Sequence, residues 1–159
     1  MAGAIESVQL QIGTRWVQAL AHLYAGDLPA SRTAIESAHQ YDYPPENSIV
    51  LAILGIVNLR QNNHVAAQKA FTEAIAKADE LLMHTDQNFK AQDIKGIALC
   101  GLALCGTREH LPTAQETFHK ARQMTKDAGI VRALLRLFDA LAENDSENIL
   151  QNVRKAAAG

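Results

Sequence analysis

One short phrase occurs twice in this chain and constrains the fold more than any other feature. AAQKAFTEA at Ala66 to Ala74 returns as TAQETFHKA at Thr113 to Ala121, so Ala67, Phe71 and Ala74 correspond to Ala114, Phe118 and Ala121, each 47 residues later. The Leu54-Gly55 pair returns as Cys100-Gly101, 46 residues later. A weaker copy, ASRTAIESA, sets Ser31, Ile35 and Ala38 at the same spacing, 36 residues before Ala67, Phe71 and Ala74. Small, large and small side chains at i, i+4 and i+7 mark one face of a helix with a 3.6-residue period. A helical pair that recurs along a chain signals a stacked array in preference to a bundle.

The remaining periodicity fits that frame. With 159 residues the chain makes about one domain, long enough to bury about two-thirds of the surface its unfolded form would expose. A first helix is expected from about Ile5 to Ala25, with Ile12, Trp16, Leu20 and Leu23 on one side and Gly26 at its end. Pro29 suits the first turn of a second helix bearing Ala34, Ile35 and Ala38, which must stop before Pro44-Pro45. Asn47 or Ser48 can cap a third helix through Leu59, and the hinge at Gln61 to Asn63 leads to a fourth over about Val65 to Met83. A fifth follows from Asn88 to Cys105, and Pro112 opens a sixth that reaches Lys126. Asp127-Ala128-Gly129 separates it from a seventh over Ile130 to Glu143, with Leu134, Leu137, Phe138 and Leu141 on one face. Asp145-Ser146 can cap a last amphipathic piece carrying Ile149, Leu150 and Val153. The expectation is therefore all-α: hairpins at about 5–42, 47–84 and 88–127, with capping helices at about 130–156. With only four prolines and no β-branched or aromatic alternation, strands have almost nowhere to form.

These residues resemble the tetratricopeptide repeat, whose pattern puts Trp, Leu-Gly and Tyr on the first helix of each hairpin and Ala, Phe and Ala on the second. Here Leu51, Leu54, Gly55 and Asn58 precede Ala67, Phe71 and Ala74, and Ile97, Cys100, Gly101 and Leu104 precede Ala114, Phe118 and Ala121. The Trp and Tyr positions are aliphatic or polar, Asp79 stands where one copy would carry Pro, and the spacing exceeds the family's 34 residues or so. Longer helices account for the excess. The resemblance implies a right-handed superhelical stack of about four hairpins, an α-solenoid, covering about Trp16 to Lys126.

Chemistry finds little footing. The six histidines (His22, His39, His64, His84, His110 and His119) fall on different helices and hinges, and EHLPTAQETFH lacks the paired spacing of a zinc helix. Cys100 and Cys105 lie in a run too apolar to favour thiolates, and two cysteines make no disulfide framework, which suits a reducing cytosol. Gly96, Gly101 and Gly106 recur every five residues, yet no strand precedes them and no Gly-Lys-Ser/Thr follows, so helix packing explains them better than a phosphate loop. No catalytic residue, metal or cofactor is expected. The formal charge of −2 with dispersed Lys and Arg offers nucleic acid no basic stripe. The N-terminal MAGAIESVQLQIG does not read as a secretory signal, and IVLAILGIV and IALCGLALC are about half of a bilayer span.

A binding surface remains. The resemblance implies that the first helix of each hairpin lines a concave groove for a partner's peptide or amphipathic helix. The lining positions would be Arg15, Gln18 and His22, then Ile49, Ala52, Ile56 and Arg60, then Lys95, Ala98 and Leu102. The apolar residues among them argue against a carboxylate clamp. Since NSIVLAILGIVNL and the Ile97 to Leu104 run are apolar nearly all round, two outcomes are open: the C-terminal helices close over the groove, or it stays open for a partner or a second copy. The expected role is a cytosolic, non-enzymatic protein-interaction module, an adaptor or scaffold. Self-association as a structural subunit is the alternative.

Overall fold

The computed structural model describes residues 2–159, and among them every regular element is helical. The eight α-helices are α1 (Ala2–Tyr24), α2 (Leu28–His39), α3 (Pro44–Arg60), α4 (His64–His84), α5 (Phe89–Leu104), α6 (Leu111–Met124), α7 (Ala128–Ala142) and α8 (Gln151–Ala158). A single 3₁₀ turn, Arg108–His110, precedes α6.

Side-chain caps set most of the starts. Asp27, Asn63 and Asn88 each accept a hydrogen bond from the backbone amide three residues on, at 3.1, 3.4 and 3.0 Å. The third helix corrects the expected start at Asn47 or Ser48, because it begins at Pro44. Proline lacks the N–H that the first turn leaves without a partner, so Pro44 and Pro45 occupy that turn at no hydrogen-bonding cost. Asn47 then accepts from the amide of Tyr43, the residue that precedes the helix, at 3.0 Å. The last helix also starts later than Asp145-Ser146 suggests. Asp145 spends both carboxylate oxygens on the amides of Ile149 and Leu150, each at 2.9 Å, and so orders the loop before α8.

Helices pack in order, α1 on α2, α3 on α4 and α5 on α6, with α2 on α3 and α4 on α5 joining one pair to the next. The odd-numbered helices also touch directly, α1 with α3 and α3 with α5, so α1, α3 and α5 form an inner row. The last two helices do not repeat this arrangement: α8 packs on α6 and α7, while α7 lies against α3 and α5.

The repeated phrase supplies the packing. Ser31, Ile35 and Ala38, then Ala67, Phe71 and Ala74, then Ala114, Phe118 and Ala121 are all fully buried or within 1 % of it. The Phe71 ring occupies the space that side chains on Gly55 and Gly101 would need: a Cβ would lie 2.5 Å from the ring at Gly55 and 2.4 Å at Gly101. Phe118 faces Gly96 in the same way, at 2.6 Å. Gly55 thus aligns by sequence with Gly101, but in facing the ring of its own hairpin it matches Gly96. Gly101 instead receives the aromatic ring of the preceding hairpin.

Candidate interaction surface

The inner row is where the expected groove residues lie, and their surroundings divide them into two groups. Ala52, Ile56 and Ala98 have no exposed surface, and Leu102 retains 6 %. They belong to the hydrophobic core shared with Leu134, Leu137, Phe138 and Leu141 of α7. The physical reason lies in matching demands. The middle of α3 and the Ile97 to Leu104 part of α5 are apolar nearly all round, and α7 has an apolar stripe that water would penalise, so packing α7 against them satisfies both. Of the two outcomes that the composition left open, a covered row describes these four residues, which share one core with α7. A charged side chain at Ile56 would therefore sit in the core.

The other six positions keep some contact with solvent. Gln18 and His22 are exposed, whereas Arg15, Ile49, Arg60 and Lys95 are half-buried. Arg15 is engaged within its own hairpin, donating to the hydroxyl of Ser37 and to Oε1 of Gln11, with its guanidinium 5.5 Å from the centre of the Tyr41 ring. Lys95 donates to Asp79 on α4 at 2.7 Å. Gln18, His22 and Arg60 are the expected polar positions left with the freest side chains.

Contacts from α7 and the residues just after it reach α1, α6 and α3. The Arg136 guanidinium stands 4.2 Å over the ring of Tyr24 at the end of α1, a cation-π contact. Burial pushes the Tyr24 hydroxyl pKa up, and Arg136 pulls it back in part. The Phe138 and Phe118 rings meet at 5.9 Å, tilted by 55°. Just beyond α7, the Asn144 amide donates to the Leu59 carbonyl at 3.2 Å, capping the end of α3 from outside.

On its outward side α7 forms a shallow cleft of about 650 Å³ with α8. Half-buried Val131 and Leu135 line it beside exposed Arg132 and Arg136, and Lys126 lies at its start. Arg154 of α8 donates twice to Asp139, at 2.7 and 2.9 Å, a bidentate pair that holds the guanidinium charged and raises its pKa. Among the described residues, Lys126, Arg132 and Arg136 have no acidic partner at ion-pair distance. The dispersed Lys and Arg of the sequence are thus locally concentrated, and the spacing Arg132, Arg136 within RALLR was the signal for it.

Both thiols are held neutral. Cys100 is buried and Cys105 is half-exposed at the end of α5, and burial raises the pKa of each. Among the described residues, no three His, Cys, Asp or Glu side chains are grouped to hold a metal ion. No helix among them is long and apolar enough to cross a membrane. Compared with known proteins, the chain matches no family model, no curated protein and no solved structure.

Proposed function

We propose that the chain is a non-enzymatic protein-interaction module, an adaptor or scaffold, built as a TPR-like right-handed stack of helical hairpins. It takes a partner's peptide or amphipathic helix on the inner side of that stack, and α7 forms part of the surface that the partner meets. One observation carries the reading: α3 and α5 already accept an amphipathic helix, since the apolar stripe of α7 is buried in the core they share. Helix against apolar row is a recurring mode of peptide recognition, and here the chain employs it on itself.

The test is affinity capture with the intact chain, followed by cross-linking and mass spectrometry of whatever it retains. The expected result is one or a few proteins, competed off by free chain, with cross-links on α1, α5 and α7. Retention of nothing specific, or cross-links confined to α2, α4 and α6, would count against it.

A second reading, self-association, is favoured by α1. Ile5, Leu10 and Val17 are 59 %, 71 % and 53 % exposed, a concentration of apolar surface on one helix. Light scattering at rising concentration decides it: growth of a dimer supports this reading, and a strict monomer removes it.

A further inference from the structure

The cleft between α7 and α8 has a chemistry of its own. Two rows run along the outward side of α7, apolar Val131 and Leu135 and cationic Arg132 and Arg136, each pair one helical turn apart. The apolar row is half-buried and the cationic row exposed, so both are open to an occupant of the cleft. Lys126 adds a third uncompensated cation, whereas Asp139, the cleft's one acid, is neutralised by Arg154. This concentration of positive charge stands on a chain whose formal net charge is −2.

We infer that this cleft is the docking site for an acidic amphipathic helix of a partner protein, one that sets apolar side chains against Val131 and Leu135 and carboxylates against Arg132 and Arg136. The inference rests on the proposed protein-interaction role and names the chemistry of the partner. Charge complementarity selects the occupant: carboxylates match the guanidinium pair in bidentate fashion, and the spacing of one turn matches a helix. Nucleic acid fits less well, because three cations on a net-negative chain provide little counterion release. An anionic membrane fits less well too, because Val131 and Leu135 are half-buried and no large exposed apolar side chain lines the cleft to enter a bilayer interface.

The probe is a fluorescein-labelled peptide of Leu-Glu-Glu-Ala repeats, followed by fluorescence anisotropy with the full chain. Its counterpart with lysine for glutamate, an oligothymidine and phosphatidylserine vesicles are run in parallel. The acidic peptide should bind alone among the four, more weakly as salt rises, and Lys126→Glu with Arg132→Glu should weaken it by about tenfold or more. Both side chains are exposed, so an unchanged melting temperature verifies that the variant is folded. Equal binding by the variant, or preferential binding of oligothymidine or vesicles, overturns the inference. Cellular partners captured equally well by wild type and variant would also overturn it while leaving the interaction role intact. Capture of nothing by either chain would remove the role itself.

Discussion

Phe71 is held in place by two missing side chains. Its ring fills the space above Gly55 on its own hairpin and Gly101 on the next, and it is fully buried, so neither glycine can gain a Cβ without displacing the ring into a packed core. Helix propensity alone would reward Gly55→Ala or Gly101→Ala with about 1 kcal/mol. Overpacking reverses the sign, and each variant is expected to lose about 2 kcal/mol, read from chemical denaturation. The need for small residues at both positions was legible from LGIVNL and CGLALC, but the ring they serve was not, because adjacency across hairpins is absent from a linear spacing. The same limit hid the pair of Asp93 and Arg122. Nη2 of Arg122 donates to Asp93 at 2.6 Å and Nη1 to the Ala157 carbonyl at 3.0 Å, which ties α5 and α6 to α8, while Oδ1 of Asp93 and Nε of Arg122 are buried without a partner. Desolvation raises the Asp93 pKa to about 6 against the pull of Arg122. Between about pH 4 and that value the folded chain holds a proton that the unfolded chain has released. Stability should therefore fall as pH rises through this window, by on the order of 2 kcal/mol. Unfolding followed across those pH values checks it, and the fall should vanish in the paired replacement of Asp93→Leu with Arg122→Met. A rise with pH in the wild type would show that Asp93 is stabilised as the carboxylate.

At the level of elements, the chain's local chemistry was the better guide. The breaks at Gly26, at the hinge through Asn63 and at Asp127 were legible from residue type, whereas the side-chain caps at Asp27, Asn63 and Asn88 were not read from it. The two misplaced starts, at Pro44 and Gln151, come from reading Asn47 and Asp145 as caps when their side chains hold backbone amides just outside the helix ends. The helix that matters most is α7, and its start depends on Asp127, whose Oδ1 accepts from the amides of Gly129 and Ile130 at 2.9 and 3.0 Å. Asp127→Ala should cost about 1 kcal/mol of global stability if α7 unfolds together with the rest, as its burial on the inner row requires. A thermal transition that stays single, at a lower midpoint, is the expected readout. A separate early transition would mean that α7 melts by itself.

For the whole molecule, the sequence pattern carried the order of the hairpins, and the near-complete burial of the middle of α3 and α5 follows from their apolar composition. It left open what covers them, since an apolar row accepts its own chain or another with the same physics. The choice depended on α7 reaching α1, α3 and α5 together, through Tyr24, the shared core and the Leu59 carbonyl. It moved Ile56 and Leu102 from candidate contacts with a partner to the interior, and it brought Arg132 and Arg136 to the outside of the same face. Native-state hydrogen exchange of the isolated chain tests this arrangement most directly. If α7 occupies the inner row, its amides exchange in the slowest class together with those of α3 and α5, at rates set by global unfolding. If α7 exchanges about a hundredfold faster or more while α3 and α5 stay protected, the inner face is open in solution and α7 is not its cover.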